Sequence, residues 1–328
     1  MSFKQLTGRQ ELGHRLGSAI KENRVSHAVL LSGPAGSGKK SWGMALAQAI
    51  LCLSPTKDGA CMKCSSCKLF QSGNHIAFYN LKPASRKIKI EQIRSLRNKF
   101  YLSGDKKVCL IDEAEKMTAE TASSLLKILE EPPPGLHFIL LTGSPELIFD
   151  TILSRCQRYN LPPLSCFEII DLLVKDKDIT EERALFFARL SKGLPGYAMQ
   201  LVDDEEFEKR YNEAKALAVN LSSGQDSAAR LLEWASSLAE REDLIEYLEL
   251  VCLFYHGEMM KKLQLEEEFG LTSLVNESVS EQPVLLGLEN AILLINQTVS
   301  ELTATNVNRR LLLEKMLILM QRRLIACK

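Results

Sequence analysis

The sequence has no surplus of either charge, no long apolar run and few aromatic residues. Its 328 residues carry 41 basic and 41 acidic side chains, so the formal net charge is zero. This balance excludes a globally basic nucleic-acid binder, although a local basic patch remains open. Apolar runs such as 311–320 are short and broken by charge, which excludes a membrane-spanning helix. Residues 1–15 contain no apolar stretch of the signal-peptide kind, so we expect a cytoplasmic protein.

The sequence does contain enough apolar material for large cores. Hydrophobic residues make up 45% of the chain, and at about 150 residues per domain its length predicts two or three domains. Strand-like and helix-like patterns alternate over the first 160 residues, which favours a parallel sheet with helices on both faces. The predicted strands are 27–32, 76–81, 107–111, 136–142 and 157–161. The predicted helices between them are 39–51, 90–101, 119–130 and 146–153.

Beyond residue 165 only helical periodicity is present. The predicted helices are 166–176, 180–192, 196–220, 226–238, 241–263, 283–302 and 306–326. Breaks are predicted near 221–224 and 273–282, where Ser, Gly and Pro or polar residues interrupt the pattern. We therefore expect an α/β domain over 1–163, a small helical domain over 164–205 and an all-α domain over 206–328.

A glycine-rich segment at 33–40, GPAGSGKK, follows the first predicted strand and opens a predicted helix. It matches the G-x-x-x-x-G-K part of a phosphate-binding loop, whose backbone N–H groups and lysine, here Lys39, face phosphate oxygens. The next position ordinarily carries a magnesium-binding hydroxyl, but here it is Lys40. Ser41 lies about 100° further round the helix and should not replace that hydroxyl. The alternative is a glycine turn that binds no nucleotide. The candidate nucleotide-binding residues are Gly33, Pro34, Ala35, Gly36, Ser37, Gly38, Lys39, Lys40 and Ser41.

Two carboxylates follow the third predicted strand, Asp112 and Glu113. In proteins with a phosphate-binding loop, the first such carboxylate helps to hold magnesium and the second can polarise an attacking water. Their position after the glycine-rich loop favours this interpretation. The alternative is a solvated acidic turn.

Four of the nine cysteines, Cys52, Cys61, Cys64 and Cys67, lie close together in the sequence. Four thiolates are the ligands of a tetrahedral structural zinc, and the Cys-x-x-Cys spacing lets neighbouring thiolates meet on one ion. Because all four ligands would be protein side chains, no open position is left for catalysis. A redox dithiol is the alternative, which the count of four disfavours.

Together, these motifs resemble the clamp-loader branch of the AAA+ ATPases. The segment 124–134, SLLKILEEPPP, resembles the helix and loop after the acidic strand of that branch, and 138–157 resembles its sensor-1 strand leading to a Ser-Arg-Cys motif. The cysteine spacing is similar to a zinc module of bacterial clamp-loader subunits, and 306–314 resembles the last collar helix. The resemblance implies a helical lid over 164–205 and an oligomerisation collar over 206–328.

Three departures distinguish the chain from the ATP-hydrolysing gamma/tau motor of bacterial DNA polymerase III clamp loaders. Lys40 replaces the magnesium-binding hydroxyl, Gly196 stands where a sensor-2 arginine is expected, and the sequence stops at Lys328 without a tau-like extension. The resemblance therefore favours a delta-prime type of subunit, with the motor type as the alternative. It implies little or no ATPase activity of the chain itself, within a nucleotidyltransferase holoenzyme that replicates DNA. Binding of ATP and magnesium is left open.

The same resemblance implies roles for two further residues. Arg155 of the Ser-Arg-Cys motif would be offered in trans to ATP bound by a neighbouring subunit, whereas a plain surface arginine is the alternative. Thr142 would be the sensor-1 residue. The implied partners are gamma/tau and delta subunits, and the sliding clamp and primer-template DNA through the assembly. The competing function classes are a nucleotide kinase and a zinc-dependent nucleic-acid binder. For Lys39, Lys40, Lys57, Lys63 and Lys68, a solvated charged surface is the favoured interpretation, and a basic region near DNA is the alternative.

Overall fold

The computed structural model describes residues 2–6, 8–84, 86–101, 106–263, 283–304 and 307–326. The chain forms two compact units. The first contains Met1–Asp176 and Ser191–Ala198, and the second contains Lys177–Leu190 and Met199–Lys328. The three-domain division is finer than these units and remains a prediction. Among the described helices, none combines the length and the apolar character that crossing a bilayer requires.

The first unit is built on a five-stranded parallel sheet, as the alternating sequence pattern predicted. The strands are β1 (Ala28–Ser32), β2 (Phe78–Leu81), β3 (Lys107–Ile111), β4 (Leu136–Thr142) and β5 (Gln157–Asn160). Their order across the sheet is β2-β3-β4-β1-β5, and every neighbouring pair is parallel. The three central strands are almost continuously apolar because helices cover both faces of a sheet of this kind.

Alternate residues of each strand pack into different cores. Val29 and Leu31 of β1 belong to one buried cluster, and Ala28 and Leu30 belong to the other. This follows from the two-residue period of a strand, which points successive side chains to opposite faces. The helices around the sheet are α1 (Gln10–Lys21), α2 (Lys39–Leu51), α3 (Ser65–Gln71), α4 (Ile90–Tyr101), α5 (Ala119–Glu130), α6 (Asp150–Leu153) and α7 (Cys166–Lys177).

Some elements of the first unit differ from the prediction. Helices α1 and α3 were not predicted. Helix α3 has only seven residues, whereas the twelve residues of α1 bury Leu16 and Ile20 at helical spacing, a signal that the prediction missed. The predicted helix 146–153 is instead a 3₁₀ turn, Pro145–Leu147, followed by the short α6. Strand β2 begins at Phe78 rather than at residue 76, and the side chain of Ile76 is exposed.

The remaining helices are α8 (Glu181–Leu190), α9 (Pro195–Asp203), α10 (Phe207–Ser223), α11 (Ala228–Ala239), α12 (Leu244–Lys262), α13 (Pro283–Ala304) and α14 (Arg309–Ala326). The prediction of one helix over 196–220 is wrong. The chain leaves the helical conformation at 204–206, where the Asp204 carboxylate accepts a hydrogen bond from the Glu206 N–H at 3.0 Å. A short acidic side chain that bonds to nearby backbone competes with helix continuation.

The predicted break at 221–224 is confirmed. Helix α10 ends at Ser223, and Gly224 follows in the left-handed conformation with φ 72°. Glycine adopts this conformation without a Cβ penalty and commonly terminates helices. The other predicted break, 273–282, lies outside the described residues, as does Asn306 at the start of the collar-like segment 306–314. Within the second unit, the buried Tyr255 hydroxyl donates to the Ala218 carbonyl at 3.0 Å and ties α12 to α10.

Candidate functional site

The glycine-rich loop joins β1 to α2 at the carboxyl edge of the sheet, where ligands of parallel α/β proteins bind. Gly36 and Gly38 have φ values of 76° and 86°, a conformation that favours glycine. The Lys39 ammonium donates to the Gly33 carbonyl at 2.6 Å and to the Pro34 carbonyl at 2.8 Å. The loop therefore has the predicted strand–loop–helix form, with its lysine bonded to the loop's own backbone.

Acidic side chains lie near the two lysines of the loop. The Lys40 Nζ is 3.8 Å from the Asp112 Oδ2. Burial lowers the pKa of Lys39, while the negative charges of Glu115 and Asp112 act in the opposite direction. Glu113 instead pairs with Lys116 at 2.6 Å. Of the two predicted carboxylates, Asp112 thus faces the loop, and Glu115, which the sequence analysis did not single out, takes part in its electrostatics.

Thr142 lies beside the loop, as the last residue of β4. It is fully buried, and it pairs in register with Ser32 at the end of β1. Its carbonyl accepts the Gly33 N–H at 3.2 Å, and its hydroxyl accepts the Ser144 N–H at 3.1 Å. Thr142 thus lies directly beside the first residue of the glycine-rich loop.

The first turn of α9 packs directly on the glycine-rich loop. The Gly196 N–H donates to the Gly36 carbonyl at 2.8 Å. A Cβ atom at position 196 would lie 3.1 Å from both the Cα and the carbonyl oxygen of Gly36. A side chain at this position would therefore require the Gly36 backbone to move by a few tenths of an ångström. The sequence showed that the arginine was absent, but not this close approach.

Arg9 is a second contact of the loop that the sequence did not reveal. Its guanidinium donates to the Ser37 carbonyl at 3.1 Å and to the Pro162 carbonyl. Burial lowers the pKa of Arg9, and the Glu168 carboxylate opposes that shift. Ser37 itself is fully buried, and its hydroxyl has no hydrogen-bond partner among the described residues. Nothing in the sequence around Arg9 marks it as a loop contact.

The residues of the loop do not fit magnesium. This ion requires oxygen ligands, and in loops of this kind a Ser or Thr hydroxyl supplies one of them. Here the ammonium of Lys40 lies near Asp112 instead. A second cation beside this carboxylate would be repelled by the first.

The four cysteines of the loop at 52–67 converge as predicted, and their sulfur atoms all lie within 4.8 Å of one another. The sulfurs of Cys52 and Cys64 are 3.9 Å apart, and those of Cys61 and Cys67 are 4.0 Å apart. Zinc–sulfur bonds of about 2.3 Å at tetrahedral angles require sulfurs about 3.8 Å apart. The cluster therefore has the size and donor set of a closed metal site.

Backbone N–H groups stabilise the more exposed thiolates of the cluster. Hydrogen bonds from the N–H groups of Lys63 and Cys64 lower the pKa of Cys61 to about 6. Burial raises the pKa of Cys52 and Cys67. The cluster thus combines two thiols of lowered pKa, Cys61 and Cys64, with two of raised pKa. A divalent cation that binds all four as thiolates would stabilise the deprotonated form of each.

Arg155 lies just after α6, and the side-chain contacts described for it do not include the glycine-rich loop. Its guanidinium donates to the Thr151 carbonyl at 3.0 Å and pairs with the Glu130 carboxylate at 2.8 Å. The side chain is 36% exposed. Exposed Leu147 and Phe149 precede it in the sequence. The arginine is thus held by its own chain yet is accessible from solvent.

A basic segment that the sequence analysis passed over lies between β2 and the end of α4. Residues 82–99 contain seven basic side chains and a single acidic one, Glu91. All seven are exposed, and none is paired with a carboxylate of the described residues. Counting charge along the sequence would have found this segment, since the chain as a whole is neutral. The basic residues are Lys82, Arg86, Lys87, Lys89, Arg94, Arg97 and Lys99.

Comparison with known proteins identifies the family. Residues 8–165 match the model of the family described as DNA polymerase III, delta subunit. The chain is 29% identical over 316 residues to the DNA polymerase III subunit delta' of Bacillus subtilis, covering 93% of this chain and 94% of that protein. It is 28% identical over 286 residues to the tau subunit of the same organism, covering 85% of this chain but 46% of that protein.

A further relative is the DNA polymerase III subunit delta' of Pseudomonas aeruginosa. It is 30% identical over 321 residues, and the match covers 94% of this chain and 95% of the relative. The matches to delta' subunits thus span both partners almost completely, whereas the tau match leaves more than half of tau uncovered. The chain belongs to the family of DNA polymerase III delta' subunits.

Proposed function

We propose that the chain is a non-motor subunit of a DNA polymerase III clamp loader and completes the ATP site of a neighbouring subunit with Arg155. The observation that carries this proposal is a contrast within one unit. The chain's own glycine-rich loop has Lys40 beside Asp112, whereas the guanidinium of Arg155 is accessible. A guanidinium placed against a transferring phosphoryl group stabilises the charge that develops in the transition state.

Two features support a role without catalysis at the chain's own loop. Lys40 takes the place of the magnesium hydroxyl, and Gly196 leaves no charged side chain at the point where α9 contacts Gly36. Asp112, Glu113 and Thr142 are then remnants of a hydrolytic site rather than its working parts. The motor alternative requires the ligands that these positions lack.

The proposed assembly has gamma/tau and delta subunits as partners in the cytoplasm, and it loads the sliding clamp onto primer-template DNA. Helices α10–α14 would form the collar through which it assembles, over the predicted range 206–328. We further propose that Cys52, Cys61, Cys64 and Cys67 hold a structural zinc ion. When bound, zinc would cross-link the loop at 52–67.

The isolated protein is expected to hydrolyse ATP at well under about one turnover per second, the lower end of ordinary enzyme rates. Mixed with a gamma/tau-type motor and a delta-type subunit, it should co-purify with them as one complex that hydrolyses ATP. The measurements are size-exclusion chromatography and phosphate release. Turnover by the isolated chain at motor rates would contradict the proposal, as would failure to co-purify.

Lys40→Thr is the matched control for this experiment. It restores the hydroxyl but leaves Gly196 without a charge, so the isolated variant should remain inactive. If the variant alone hydrolysed ATP at motor rates, Lys40 would be the single cause of inactivity.

The basic segment 82–99 favours an additional contact, which we assign to the phosphates of primer-template DNA. Its exposed side chains concentrate positive charge on a chain whose net charge is zero. Unpaired cations of this kind release counterions when they bind a phosphate backbone, and this makes affinity depend on salt. Arg94 and Arg97 project from α4 and are the strongest candidates.

Replacing Arg94 and Arg97 together with Gln should weaken DNA binding by the assembled loader. The slope of log affinity against log salt should fall by about one unit per lost phosphate contact. Fluorescence anisotropy with labelled primer-template DNA, repeated at several salt concentrations, measures the affinity and its dependence on salt. The control is Lys21→Gln with Lys127→Gln, an equal charge change at exposed sites of α1 and α5, outside both the basic segment and the proposed collar. If both double variants showed the same slope, the segment would not contact the DNA as proposed.

A further inference from the structure

A chain of hydrogen bonds runs behind the cysteine cluster. The Ser66 hydroxyl lies 2.6 Å from the Leu51 carbonyl oxygen and 2.9 Å from Nε2 of His75. The Ala77 N–H donates to Nδ1 of the same ring at 3.3 Å. None of these residues belongs to the candidate metal ligands.

The direction of each bond follows from the chemistry of the groups. Because the Ala77 N–H donates to Nδ1, this nitrogen carries a lone pair, and the proton of the neutral ring lies on Nε2. Nε2 therefore donates to the Ser66 oxygen, and the Ser66 hydroxyl donates to the Leu51 carbonyl. Burial lowers the pKa of His75, which agrees with a neutral ring. The hydrogen bonds therefore all run in one direction, from the Ala77 N–H through His75 and Ser66 to the Leu51 carbonyl.

This chain of hydrogen bonds joins the two backbone segments that directly precede the buried cysteines. Leu51 directly precedes Cys52, and Ser66 directly precedes Cys67. These two cysteines are 4% and 0% exposed. The Ser66 side chain is itself buried, at 7% exposed, so its bond to Leu51 is shielded from water. The Gln48 amide adds a contact to the Cys67 carbonyl at 3.4 Å.

We propose that Ser66 and His75 are positioning residues of the metal site, which hold the end of α2 and the start of α3 at the separation that four-thiolate coordination requires. The inference rests on the proposed zinc site. Partners that orient metal ligands typically contribute 10–100-fold to metal affinity. Since Ser66 and His75 act through the backbone next to the ligands, the lower end of that range applies.

Ser66→Ala and His75→Leu are each expected to speed zinc release by about tenfold. Release is followed with a chromogenic chelator on the full-length protein, and zinc content is measured beforehand. Ser65→Ala is the matched control, because Ser65 is the adjacent serine of α3 but is exposed. Its release rate should equal that of the unmodified protein. If the unmodified protein contains no zinc, the metal proposal and this inference fall together. If zinc is bound but Ser66→Ala and His75→Leu release it at the unmodified rate, only this inference falls.

Two further variants separate a specific chain of bonds from general loosening. The double variant should release zinc about as fast as either single one, because both substitutions interrupt the same chain. Multiplicative effects would overturn the proposal. His75→Gln keeps a donor near the Nε2 position and should recover most of the retention, and its failure to do so would also count against the proposal. Cobalt-substituted protein gives the spectroscopic check, since loss of positioning should alter its tetrahedral absorption bands.

Discussion

Arg155→Ala is expected to lower the ATP hydrolysis rate of an assembled clamp loader while leaving the protein folded. Trans arginines contribute about 10³–10⁵ in rate in the best-studied phosphoryl-transfer systems. The summed rate of the assembly should fall by less, because its other ATP sites would keep their own arginines. Folding should be unaffected, since the pair with Glu130 is solvent-exposed and pairs of this kind contribute only about 0–1 kcal/mol.

The control for this experiment is Arg158→Ala, which removes an exposed arginine three positions away on β5. Both variants should assemble and bind the clamp normally, and only Arg155→Ala should slow hydrolysis. Thermal unfolding of the isolated variants checks the fold, and phosphate release checks the rate. If the loader with Arg155→Ala hydrolyses ATP and loads clamps at the unmodified rate, Arg155 is only a surface residue.

Cys64→Ser is expected to abolish stoichiometric zinc binding and to open the loop at 52–67. The unmodified protein should contain one zinc ion per chain when purified without chelator. Binding energy at a structural zinc is folding energy, about 10–16 kcal/mol in small zinc-finger peptides. Cys52, Ala60 and Cys67 belong to one of the two core clusters, so the loss should loosen that cluster, whereas the other cluster contains no residue of the loop. Metal analysis gives the zinc content, and limited proteolysis measures opening of the loop.

Cys166→Ser provides a matched control, because Cys166 begins α7 and lies outside the cluster. It should keep a full complement of zinc and resist proteolysis like the unmodified protein. Absence of zinc from the unmodified protein would contradict the metal site itself. Equal zinc contents for Cys64→Ser and the unmodified protein would exclude Cys64 as a ligand.

In the helical half, the apolar pattern of the sequence did not predict one interruption of a helix. The periodicity of 196–220 continues across Asp204, yet the helix stops there because a carboxylate bonds to the Glu206 N–H. By contrast, the break at Gly224 was predictable, since glycine at a helix end has a conformational reason of its own. Apolar spacing therefore located the helices, while side-chain capping decided where one of them was interrupted.

The sequence by itself determined the parallel sheet, the glycine-rich loop, the four-cysteine cluster and the absence of a magnesium hydroxyl at Lys40. Each depends on residue type and short spacing along the chain, which are local properties. Only the tertiary structure decided that Gly196 packs on Gly36, that Glu115 rather than Glu113 acts on Lys39, and that Glu130 holds Arg155. Each of these contacts joins residues that are distant in sequence, and Glu115 rather than Glu113 faces Lys39 because of the path of the turn after β3. Periodicity carries no information on such pairings, because they are set by how the elements pack against one another.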